Sequence, residues 1–90
     1  MRNEVSPRIA VIITLEAISG REKELSELLS EAAHVVRETE PGTLYWYSTQ
    51  AGTNRFTIND GFADEEALEA HFNGKVAAAL REKASELVVG

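Results

Sequence analysis

Apolar and polar positions change period several times along this 90-residue chain, and each change predicts an element. In Arg8–Ala17 the alternate residues Ile9, Val11, Ile13 and Leu15 form one apolar face, while Ala10 and Ile12 keep the other mostly apolar. That period of two with β-branched enrichment predicts a strand with both faces covered. From Leu25 the spacing becomes helical, with Leu28, Leu29, Ala32, Val35 and Val36 on one stripe until Glu40-Pro41-Gly42 stops it. Ser19-Gly20-Arg21-Glu22 fits a capping box, in which Ser19 accepts an amide and Glu22 reaches back. A helix is therefore predicted over about residues 20–38.

Thr43–Ala51 and Arg55–Ala63 return to aromatic and β-branched residues, joined by Gly52-Thr53-Asn54, and predict an antiparallel hairpin. Asp64 then fits a helix N-cap. Glu65 and Glu66 suit the positive end of the helix dipole, and Leu68 and Phe72 make an apolar pair four residues apart. Asn73-Gly74 interrupts that helix. Val76, Ala77, Leu80, Ala84 and Leu87 continue a stripe in a last helix ending near Val88 or Val89, leaving any final strand missing or vestigial.

The order βαββα(α) is most simply a ferredoxin-like α+β sandwich, an antiparallel sheet with helices on one face. The strands nevertheless carry large side chains on both parities: Leu44, Trp46, Phe56, Ile58 and Phe62 on one, Tyr45, Tyr47 and Ile12 on the other. A second apolar face of that size marks an interface and implies a homodimer joined sheet to sheet. Size agrees, since a chain this short buries only about 60 to 65% of its unfolded surface alone. Residues 1–90 read as one domain, with residues 1–7 a flexible N-terminus.

Composition narrows the function classes. With 43% hydrophobic and 27% charged residues the chain is of the globular class, and its net charge of −6 argues against nucleic acid, which needs clustered Lys and Arg. The absence of cysteine excludes a disulfide framework and thiolate chemistry, compatible with a reducing, cytoplasmic setting. The longest apolar run, Ile9–Ile13, is far too short to span a membrane. No His, Asp and Glu set has metal-ligand spacing, and neither a phosphate-binding glycine loop nor a nucleophile elbow is present.

Two stretches carry a family resemblance. Glu40-Pro41-Gly42-Thr43-Leu44 enters the second strand, and Phe62-Ala63-Asp64-Glu65-Glu66-Ala67-Leu68-Glu69-Ala70-His71 spans the strand-to-helix junction. With the element order, residues Ile9–Leu80 resemble the antibiotic biosynthesis monooxygenase family of dimeric α+β barrel proteins. The resemblance implies a dimer with a pocket between sheet and helices. In some members it also implies oxidation of aromatic substrates by molecular oxygen without flavin, haem or metal; other members degrade haem or have no settled activity.

Cofactor-free oxygenation needs a base that turns the substrate into a reductant, donors aimed at oxygen, and a dry aromatic pocket. His71 is the expected base, since its ordinary pKa lies near neutrality and Leu68 and Phe72 put it at the edge of an apolar stripe. The competing reading is a partly exposed histidine that bonds a backbone group or caps a helix end. Asn59, disfavoured in a strand, is the second catalytic candidate, as an oxyanion or oxygen-binding donor. Trp46, Tyr45, Tyr47, Phe62 and Phe72 are candidate walls for a small aromatic molecule. Three consecutive aromatics cannot share one face of a strand, so either Trp46 or the tyrosine pair faces the helices. The turn register decides whether Asn59 shares a face with Trp46 or with Tyr47. Asp60 could orient a base or pair with Arg55, and His34 reads as a boundary residue of the first helix. The expectation is a monooxygenase requiring no cofactor and acting on an aromatic or quinol-like compound. The alternatives are a non-catalytic dimeric ligand-binding module and, third, a haem-degrading enzyme.

Overall fold

In the computed structural model, which describes residues 8–89, six elements follow the predicted order: β1 (Ile9–Glu16), α1 (Glu22–Thr39), β2 (Thr43–Gln50), β3 (Arg55–Phe62), α2 (Glu65–Phe72) and α3 (Lys75–Ala84). The N-terminus expected to be flexible lies outside the described residues. Among the described residues no helix is long and apolar enough to cross a membrane.

The sheet is antiparallel with strand order β1-β3-β2, so β3 is central. Ile58 pairs with Ile13 and Ser48, and Asp60 with Val11 and Trp46. Side chains alternate across a strand, so this register sends Phe56, Ile58, Asp60 and Phe62 to the helix side together with Trp46 and the Ile9, Val11, Ile13, Leu15 set. A slip of one residue would put every one of them in solvent, which is why burial specifies the register. The strand faces anticipated for β1 are correct, but its Ala10 and Ile12 side is bare in the single chain, with Ile12 72% exposed.

Helix α1 covers the sheet with Leu25, Leu29, Ala32 and Val36, all buried. They meet Trp46, Phe56 and Ile58 in the main core. Each fully buried Leu stabilises by roughly 1.5–3 kcal/mol relative to an exposed one. The start of α1 differs from the capping-box expectation. Gly20 adopts φ 91°, a left-handed turn open to glycine, and makes Arg21 rather than Ser19 the N-cap, with no side-chain cap bond. Glu22 does reach back, accepting the Gly20 amide at 3.0 Å.

The last helix also ends earlier than the stripe suggested. After Ala84 the chain turns, burying Leu87 in the core and bringing Val88 into a single antiparallel bridge with Ala17. The Ile18 amide donates to Leu87 O and the Val89 amide to Glu16 O, both at 2.8 Å. The vestigial final strand is this one bridge on the outer edge of β1.

Candidate functional site

Three ionisable side chains from three parts of the fold meet beneath the helices. Asp60 is brought there by the alternation of β3, which places an acid at a position otherwise held by Phe56, Ile58 and Phe62. His71 comes from the last turn of α2. That helix begins at a fixed point because the Asp64 carboxylate accepts the Ala67 amide at 2.9 Å. Glu40 caps the end of α1, immediately before Pro41-Gly42 turn the chain into β2.

His71 is 5% exposed and Asp60 only 1%. The imidazole Nδ1 lies 2.6 Å from Glu40 Oε1, and Nε2 lies 3.5 Å from Asp60 Oδ2. Glu40 Oε1 also accepts from the Thr43 hydroxyl at 2.9 Å. A carboxylate accepting from both Thr43 Oγ1–H and His71 Nδ1–H satisfies every partner, and leaves the Nε2 lone pair facing Asp60. Behind the ring, Phe62 packs with centroids 5.3 Å apart and Phe72 meets it edge-on at the same separation.

Asp60 Oδ1 is buried with no hydrogen-bond partner among the described residues. Burial pushes the Asp60 carboxyl above the usual range; the nearby His71 opposes that rise and the Glu40 charge adds to it.

Two spaces adjoin the cluster, and His71 borders both. The inner one is a cavity of about 190 Å³ walled by Ile13, Leu15, Trp46, Ile58, Phe72 and Leu80, with Asp60, His71 and Arg81 as its polar members. The outer one is a groove of about 600 Å³ lined by Val35, Glu40, Gly42, Ala67 and Lys75 among others. The imidazole thus borders both spaces, with one carboxyl group against each of its nitrogens.

The candidate residues read from the sequence divide into two sets. His71, Trp46 and Phe72 come together at the inner cavity, and Phe62, fully buried, packs against the imidazole. Asn59, Tyr45 and Tyr47 stand on the opposite face of the sheet. Asn59 pairs in register with Tyr47 and donates to Thr57 Oγ1 at 2.9 Å, and the tyrosine rings lie 5.9 Å apart. Asn59 therefore does not share a site with His71. Asp60 contacts the imidazole rather than Arg55, whose parity sends it to the other face. His34 is exposed and pairs with Glu38 at 3.0 Å, outside the site.

Glu40 and Arg81 were missed as site residues. Glu40 read only as part of a helix stop and of a family-like stretch, and Arg81 drew no reading at all. Asp60 carried a usable signal: a lone acid on the apolar parity of a strand is costly unless something in the interior needs it. Among the described residues no group of three or more His, Cys, Asp or Glu side chains is arranged to hold a metal ion.

Comparison with known proteins gives this geometry a family context. The family model for antibiotic biosynthesis monooxygenase matches residues 8–83. A protein of unknown function from Nitrosomonas europaea is 37% identical with a TM-score of 0.82, covering 90% of this chain and 78% of its own. A candidate antibiotic biosynthesis monooxygenase from Bacteroides thetaiotaomicron shares the fold at 24% identity and a TM-score of 0.80, over 90% of this chain and 79% of that one. A Pseudomonas aeruginosa protein shares it at 22% identity and a TM-score of 0.82, over 98% and 90%. No curated protein matches the chain.

Proposed function

The chain belongs to the antibiotic biosynthesis monooxygenase family, and on that premise we propose that it is a cofactor-independent monooxygenase oxidising a small aromatic or quinol-like molecule with molecular oxygen. The observation that carries the reading is His71, buried between two carboxyl groups at the wall of an apolar cavity.

Glu40 holds the Nδ1–H, so the imidazole turns its basic Nε2 inward and is oriented as a general base. In the proposed reaction Nε2 takes the phenolic proton of a dihydroxylated ring. The resulting anion gives one electron to O2, and the ring radical and superoxide recombine with a new C–O bond. The hydroperoxide then loses water to leave a carbonyl. Hydroquinone plus O2 becomes hydroxyquinone plus water, so the ring supplies all the electrons. Asp60, when neutral, donates to the developing oxyanion, and the apolar walls exclude bulk water from the radical pair.

Two alternatives are separated by chemistry. A haem-degrading enzyme would develop a Soret band when haem is added to the purified protein, and the oxygenase reading expects none. A ligand-binding module would hold the same ring without consuming oxygen. The test is oxygen uptake with a panel of hydroquinones and anthrones by the wild type and His71→Ala. The expected result is uptake that falls by about 10²–10⁴-fold in the variant, the usual contribution of a general base. Absence of uptake with any compound that binds sinks the oxygenase reading; equal rates in both proteins sink the assignment of His71.

The bare outer face of the sheet, with Ile12 72% and Tyr47 51% exposed, supports a homodimer joined through that face. Light scattering is expected to return twice the chain mass of 9.9 kDa. Asn59, Tyr45 and Tyr47 then belong to the dimer seam rather than to the pocket of their own chain.

A further inference from the structure

From the size of the inner cavity and the polar groups on its wall, we infer that the ligand is a single aromatic ring bearing hydroxyl groups and one carboxylate, with the carboxylate held by Arg81. This deepens the oxygenase reading and rests on it for the reaction, though not for the binding.

Size suits one ring. An apolar cavity of about 150 Å³ takes up benzene. The space here is about 190 Å³ and open on one side, so it encloses one substituted ring, and any further ring would stand outside the apolar walls.

Polarity orients the ring. Asp60 and His71 are both buried members of the wall, and a ring hydroxyl, which donates as well as accepts, suits a carboxyl and an imidazole alike. Arg81 is the third polar member. It is exposed, so it marks where the cavity opens to solvent. Its Nη1 donates to Phe72 O at 3.3 Å, tying the guanidinium to the end of α2. Four of the five guanidinium N–H donors remain, and among the described residues no carboxylate of the chain pairs with it. A planar fork of donors at the mouth of an apolar slot matches a carboxylate on the ring it admits. The chain's net charge of −6 does not attract anions at long range, so this preference is local to Arg81.

The chain contains one tryptophan, and Trp46 lines the cavity, so its emission reports occupancy without turnover. The experiment titrates 2,5-dihydroxybenzoate, hydroquinone and anthrone under nitrogen into wild type, Arg81→Gln and Arg81→Lys. Dihydroxybenzoate is expected to bind wild type about tenfold more tightly than hydroquinone, the effect of one charge-assisted contact. Arg81→Gln is expected to erase that ratio, Arg81→Lys to keep most of it, and anthrone to bind more weakly than either ring. Equal affinities for the two rings in wild type, a ratio that survives Arg81→Gln, or tighter binding of anthrone would each overturn the inference. Binding in this pattern without oxygen uptake in air refutes the oxygenase reading and upholds the ligand class.

Discussion

Replacing Asp60 by Asn changes one buried group by almost nothing in shape and removes its ability to ionise. In the native chain the carboxyl is 1% exposed, and burial lifts its pKa above the ordinary value of about 3.9. A folded-state pKa above the unfolded one means that the folded protein binds the extra proton. The stability this contributes is fully present below the unfolded pKa and is lost as pH rises through the folded pKa. The Asp60→Asn variant would carry no such loss. Below about pH 4 the two proteins should match closely, because both hold a neutral group beside His71 Nε2 and both leave one oxygen unpartnered. Above it the variant should gain on the wild type by up to ~1.4 kcal/mol per pH unit, levelling off once the pH passes the folded pKa of Asp60. Urea unfolding followed by Trp46 emission from pH 4 to 8 measures the difference, and the pH at which it flattens reports that pKa. A variant less stable than wild type by the same amount at every pH would refute the reasoning.

Other perturbations follow from the same contacts. Asp64→Ala removes the acceptor of the Ala67 amide at the start of α2 and should cost ~1 kcal/mol, seen as a melting temperature lower by about 4–8 °C. Gly61→Ala places a Cβ against the Tyr45 ring, which lies directly over that glycine, and should cost about 1–3 kcal/mol in urea unfolding, with a changed near-ultraviolet dichroism from the displaced tyrosine.

The region from Gly61 to Phe72 shows how far local pattern reaches. The end of β3, the Asp64 cap and the break at Asn73-Gly74 are encoded within a few residues of where they act, and all occur as expected. So does the placing of His71 against Phe72 beside an apolar stripe. Whether the histidine was packed, exposed or partnered was not encoded there, since its partners are 31 residues away at Glu40 and on a neighbouring strand at Asp60. Asn59 illustrates the complement. Asn59, unusual for a strand, drew attention as a donor, while its neighbour Asp60, equally unusual there and on the buried parity, is the one that faces His71.

What the chain alone determined, then, is the βαββα order, the apolar stripes and the Asp64 cap, because each depends on hydrogen bonds and side-chain spacing within one element. The tertiary structure decided which strand face looks inward. A one-residue change of register moves Asp60 and Asn59 between faces with no change in local propensity, and only burial of Phe56 and Ile58 against α1 and of Phe62 against α2 selects between them. The same long-range choice converted a helix-stop glutamate, a strand aspartate and a helix histidine into one buried cluster.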